Sequence, residues 1–180
     1  MRPTLVRTPV GEQPVRLHPM DDAVELKRVV RRPRALWALV PLVGILSAGG
    51  FYGGIAFVTD PTGASLGAKL TWLDRTPVSD FTLPGLFLLA VYGIGGLAVI
   101  VGLLLKTSPG PLGRLDRVIG YHWSWAGSIA LGAVLVVWIT CELVVLPETT
   151  FLQPVLIVIG LLIAGIPFLR SMRHWYAADR

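Results

Sequence analysis

Four long apolar runs separated by short polar stretches set the pattern of this chain: about Ala35 to Val58, Leu83 to Leu105, Trp123 to Leu146, and Phe151 to Leu169. Each is about 19–24 residues long, and a helix rising ~1.5 Å per residue needs about 20 to cross a ~30 Å hydrocarbon core. The runs are continuous and do not alternate, so they predict helices rather than the strands of a barrel. The expected fold class is an all-α membrane protein, a four-transmembrane-helix bundle over residues 35–169. A basic segment, 1–34, precedes it and a short tail, 170–180, follows. The first run is too long for the core of a cleaved signal peptide and is read as a signal anchor.

The connections carry their own signals. Residues 1–22 are rich in Pro, Arg and Thr without periodicity and read as a disordered tail. Ala23 to Arg34 reads as a short surface helix. Asp60-Pro61-Thr62-Gly63 is a turn sequence, in which Asp accepts backbone hydrogen bonds, Pro fixes φ and Gly permits positive φ. Leu66, Leu70 and Leu73, with Trp72 beside them, recur at helical spacing and predict a short amphipathic helix lying at an interface. Asp80 or Thr82 is positioned to cap the second helix, and Pro84 is tolerated in its first turn. Thr107 to Pro111 breaks any helix. Leu112, Leu115 and Ile119 then resume a helical pattern, so the third helix is expected to begin well before its apolar run. Thr150 and Gln153 have capping-box spacing. The last two runs, joined by few residues, are expected to be antiparallel neighbours.

Charge gives the expected orientation. Of the sixteen Lys and Arg residues, only Lys69 and Arg75 fall in the first and third connections; the rest fall before the first run, between the second and third, and after the fourth. Positive residues stay inside, which predicts both termini in the cytoplasm. Lys27, Arg28, Arg31, Arg32 and Arg34 would sit at anionic lipid headgroups, and fixing orientation accounts for them fully. The net charge of +5 is therefore a membrane signal and not a nucleic-acid one. Charged residues are 15% of the chain and mean hydropathy is +0.67, against about 25% charged in soluble domains. The single cysteine, Cys141, offers no internal disulfide and no cysteine-based metal cluster. Trp37, Tyr121, Trp123, Trp125, Trp175 and Tyr176 fall near the inner ends of the runs, and Trp72 and Phe81 near the outer ends, as an aromatic belt requires.

Lipid gives helices no hydrophobic reason to associate, so small residues mark their contact faces. The first run holds two overlapping motifs, Gly49 with Gly53 and Gly50 with Gly54. The third holds Ser124, Ser128 and Gly132 at spacing four, and the fourth Gly160 and Ala164. Internal packing is the first reading of these faces and dimerisation the second.

Glu142 is the residue to test, the one ionisable side chain well inside an apolar run. Eighteen residues make five helical turns, so Glu142 shares its azimuth with Ser124 and is expected to face the bundle. An intramembrane acid is a functional hypothesis by default: it carries a proton, binds a cation or holds a polar headgroup. The structural alternative is a protonated acid, or one that reaches interfacial water or Lys69. Asp60, Asp74 and Asp80 form a candidate polar site in the outer loop, with capping and solvation as the plainer reading. His122 and His174 both fall near the inner face and do not suit a bis-histidine haem. No cofactor or metal is implied, and no phosphate loop, HExxH, CxxC or G-x-S-x-G occurs.

Gly49-Gly50, Asp60-Pro61-Thr62-Gly63 with Leu66-Gly67, Thr76-Pro77, Asp80, Pro84-Gly85, Trp138-Ile139 and Glu142 together resemble a group of small bacterial four-helix membrane proteins of unassigned function. The resemblance spans about Leu42 to Leu162. It implies that the outer loop and Glu142 are family features, and it brings no activity. Three functions remain open. The first is a non-enzymatic accessory or interaction subunit of the plasma membrane, its partners being the bilayer and another membrane protein or a second copy. The second is a small transporter or channel subunit using Glu142. The third is a membrane enzyme acting on lipid or quinone.

Overall fold

The structure is a computed structural model that describes residues 32–108, 110, 112–145 and 150–177. The basic residues Lys27, Arg28 and Arg31, the expected surface helix up to that point, and the connection at 146–149 lie outside the described residues; Arg32 and Arg34 are described and exposed.

The described residues are helical, with no strand among them. Helix α1 is Arg34–Thr59 and α2 is Thr82–Leu105. A short helix α3, Leu112–Ile119, precedes α4, Trp123–Val145. Helix α5, Leu152–Gly165, runs through a tight turn at Ile166–Phe168 into α6, Arg170–Tyr176. The four long helices nearly coincide with the four apolar runs. Three of them are long and apolar enough to cross a membrane, and a fourth if α5 and α6 count as one span bent by 63°. Pro167 accounts for that bend, because it cannot donate to the helix ladder.

Helix α1 packs most extensively along α2, α4 packs against α5, the second half of α2 meets α4, and α5 returns to α1. Each helix buries one narrow stripe. On α1 it is Leu36, Leu39, Val43, Leu46, Ser47, Gly50 and Gly54, and on α4 it is Ser124, Ser128, Leu131, Gly132, Leu135 and Ile139. Both follow the spacing of three and four that puts side chains on one face. Only about a third of each candidate span is buried. The rest is exposed and still apolar, with Ile45, Tyr52, Leu97, Val101, Val137, Val144, Val158 and Leu161 outward. Helices apolar on every side suit a membrane protein, since a water-soluble bundle turns a polar face outward.

The small residues sort by register. A Cβ on Gly50 would lie 2.6 Å from the Gly93 nitrogen, and one on Gly54 would lie 2.7 Å from the Leu89 nitrogen. The same atom on Gly49 would meet nothing within 4 Å, and on Gly53 only the tip of Leu88 at 3.5 Å. Gly50 and Gly54 are therefore the pair through which α1 and α2 touch. Gly132 does the same for α4 and α5: its Cβ would lie 2.5 Å from the Gly160 oxygen. Ser124 is fully buried beside Gly102, and Ser128 donates to the Trp125 carbonyl oxygen at 2.8 Å.

Two features depart from the pattern read in the sequence. Residues Leu88–Gly95 within α2 form a π-helical stretch, and the Ser47 hydroxyl donates to the Gly93 carbonyl oxygen at 2.8 Å from across the α1 contact. The expected amphipathic helix around Leu66–Leu73 is instead two short 3₁₀ turns, Ala64–Leu66 and Leu70–Leu73, interrupted at Gly67 with φ +71°. Helix α3 is likewise separate from α4, with a break at Gly120, φ +74°. Lys106 ends α2 in the left-handed conformation.

The end bearing Lys106 is locked by polar contacts. The Lys106 ammonium donates to the Trp175 carbonyl oxygen at 2.7 Å and lies 4.8 Å from the Trp175 ring centroid. The Tyr176 hydroxyl donates to the Leu103 carbonyl oxygen at 2.6 Å, and the His122 amide donates to the Tyr176 carbonyl oxygen at 2.9 Å. Asp116 accepts from the Trp123 amide at 2.6 Å and from the Ser108 hydroxyl, which caps α4 from the preceding short helix.

Candidate functional site

At the opposite end, a cavity of about 680 Å³ opens between the loop at 60–81, the start of α2, the end of α4 and the start of α5. Its walls are aliphatic and aromatic, with Phe57, Trp72, Phe81, Phe87 and Trp138 supplying the rings. Glu142 is the carboxylate in that lining, accompanied by Gln153, Thr76, Thr150 and the thiol-bearing Cys141.

The stripe of α4 explains how Glu142 comes to the cavity. Leu135 and Ile139 are buried, and Glu142 is the next position on the same face, half-buried where the bundle opens. Trp138 sits one turn earlier and its Nε1 donates to Glu142 Oε1 at 2.6 Å. Indole is a donor only, so the carboxyl oxygen is the acceptor. Trp138 is held by stacking on Phe87 of α2, with centroids 4.5 Å apart and planes 15° apart. Phe87 meets Tyr92 edge-on at 5.7 Å. Tyr92 is buried, 2% exposed, and its hydroxyl has no hydrogen-bond partner among the described residues. A line of contacts thus runs from the π-helical stretch of α2 to the carboxylate on α4.

The loop closes the other side of the cavity. Asp60 accepts from the Thr62 hydroxyl at 2.6 Å, the Thr62 amide at 3.2 Å and the Ser65 amide at 2.8 Å. The Thr62 hydroxyl and the Ser65 amide hold its carboxyl below the ordinary carboxylate value. The Phe81 amide donates to the Pro61 carbonyl oxygen at 2.9 Å, and Phe81 stacks on Phe57 at 4.8 Å, which ties the loop back to α1. Asp80 accepts from the Thr82 amide at 2.9 Å and so caps α2. Asp74 is exposed. The structure does not bring the three aspartates together with Glu142: among the described residues, no group of three His, Cys, Asp or Glu is placed to hold a metal ion. Gln153 is buried, and its Oε1 accepts from the Thr150 amide at 3.0 Å, half of a capping box.

No family model, curated protein or solved structure matches this chain. Two histidines read from the sequence sit away from this cavity. His122 is buried at the Lys106 end with Nδ1 2.7 Å from the Ser124 hydroxyl, and burial lowers its pKa. His174 is exposed.

Several members of the site were not singled out by sequence reasoning. Trp138 and Glu142 are four apart, which on a helix places them together, and this spacing was visible. Tyr92 and Phe87 carried no such signal, because the stacking of Phe87 on Trp138 depends on how α2 packs against α4. Trp72 was read as an interfacial anchor; it lines the cavity, and its Nε1 is buried without a partner among the described residues.

Proposed function

We propose that the protein is a multi-pass protein of a bacterial plasma membrane with both termini cytoplasmic. It acts as a non-enzymatic subunit that holds a small apolar or amphiphilic molecule in the cavity at its outer end, with Glu142 against the molecule's polar part. The cavity carries this reading: its size lies within the roughly 300–1,000 Å³ usual for small-molecule sites, and apolar walls with few polar groups are their usual lining. The surrounding apolar surface supports placement in a bilayer, and the uneven distribution of basic residues supports the orientation.

The test is extraction of small molecules from protein purified in mild detergent, with mass-spectrometric quantification. Cys141 lines the cavity from an exposed position, so Cys141→Trp fills the space without disturbing the buried stripe. Near-stoichiometric apolar material in the wild type and its loss in Cys141→Trp is the expected result. Equal amounts in both, or none in either, would overturn the proposal.

A transport role is the second reading, favoured by the π-helical stretch of α2. Such stretches are frequent at functional sites, and this one carries Tyr92 toward Glu142. Flux lost in Glu142→Gln at constant folded amount is its signature; unchanged flux removes it.

A further inference from the structure

Resting on the cavity reading above, we infer that the occupant is an organic cation with apolar substituents, an amine or onium ion on a hydrophobic body, and that Glu142 is its counter-ion.

Charge complementarity is the first argument. Among the described lining residues Glu142 is the one carboxylate, and none is Lys, Arg or His. A carboxylate among apolar walls is costly unless a positive charge or several hydrogen bonds compensate it. Trp138 supplies one hydrogen bond, and a carboxylate has about four acceptor positions. A positively charged occupant supplies what the wall lacks. An anionic headgroup would meet Glu142 with no basic side chain among the described lining residues to offset it.

The rings are the second argument. Cations are drawn to the faces of aromatic rings, Trp most strongly. Phe57, Trp72, Phe81, Phe87 and Trp138 all line the space, and Trp138 joins ring and carboxylate in one unit. The same walls disfavour an inorganic ion. Calcium or magnesium needs several converging oxygens, and no such group of acids is gathered among the described residues. What remains is a cation whose substituents prefer hydrocarbon to water.

Equilibrium dialysis on the full chain in mild detergent tests this with two probes of similar shape, tetraphenylphosphonium and neutral triphenylphosphine oxide. The wild type is expected to bind the cation at least about tenfold more tightly, the scale of one desolvated charge pair. Glu142→Gln should weaken binding of the cation about tenfold and so abolish that preference, with circular dichroism reporting that the variant is folded. Glu142→Asp, which keeps the charge, should retain most of the preference. If both probes bind wild type and Glu142→Gln alike, or if Glu142→Asp behaves as Glu142→Gln does, the cation assignment is overturned while the cavity reading stands. If neither probe binds the wild type, both are overturned.

Discussion

Gly49 and Gly50 are adjacent in sequence and should respond in opposite directions to the same substitution. An alanine Cβ at position 50 would stand 2.6 Å from the Gly93 nitrogen and 2.7 and 2.8 Å from the Tyr92 Cβ and carbonyl carbon. Two of these three atoms are backbone, so relief requires α1 and α2 to separate rather than one side chain to rotate. Overpacking of this kind costs about 1–3 kcal/mol. Alanine's better helix propensity returns about 0.8–1 kcal/mol. Gly50→Ala should therefore lose up to about 2 kcal/mol net, as much as about a thirty-fold fall in the folded-to-unfolded ratio. At position 49 nothing lies within 4 Å of the added atom, so the propensity gain stands alone and Gly49→Ala should be neutral or stabilised by up to about 1 kcal/mol. Equilibrium unfolding in mixed micelles of mild detergent and dodecyl sulfate, followed by circular dichroism, measures both. Equal losses at the two positions would refute the packing register that sets Gly50 against Tyr92 and Gly93.

Other outcomes follow from single contacts. Ser47→Ala removes the hydroxyl donor to the π-helical Gly93 carbonyl and should cost about 0.6–1.7 kcal/mol, the range of polar contacts between membrane helices, in the same unfolding assay. Asp116→Ala removes the cap of α4 and should cost about 1 kcal/mol, with faster proteolysis at the Lys106 end. His122 is held neutral by burial between Lys106 and Asp116, with its pKa below the ordinary 6.5. The unfolded chain then binds the proton more readily, so the stabilisation is complete above pH 6.5 and declines as pH falls below it; a melting-temperature series should show this decline flattened in His122→Gln. Single cysteines at Arg75 and Arg114 in a Cys141→Ser background should react with an impermeant maleimide from opposite sides, the first in intact cells and the second only after permeabilisation. Labelling of both from one side would contradict the orientation.

The long helices were legible because a helix long and apolar enough to cross a membrane announces itself by length and uniform apolarity, and the helix ends fell close to the ends of the apolar runs. The inward azimuth of Glu142 was legible for a similar reason: helical periodicity carries over eighteen residues without knowledge of neighbours. The π-helical stretch was not. Nothing in Leu88–Gly95 sets it apart locally, and the Ser47 hydroxyl meets its Gly93 carbonyl oxygen from another helix. The loop shows the same limit. Leu66, Leu70 and Leu73 have helical spacing, yet Gly67 turns left-handed between them, so the helix is interrupted and Leu70 is exposed where Leu73 is buried. The choice between the Gly49 and Gly50 registers, and the meeting of Phe87 with Trp138, are decided between helices, where sequence spacing says nothing.

Alkylation of Cys141 by a small neutral maleimide tests the central claim most directly, because this lone thiol lines the cavity. The rate would be followed in purified protein while tetraphenylphosphonium, triphenylphosphine oxide or a membrane lipid extract is added. A molecule seated against Glu142 should slow the reaction about tenfold at ten times its Kd, and Cys141 in Glu142→Gln should lose that protection for the cation. A rate that none of these additions changes would contradict the account.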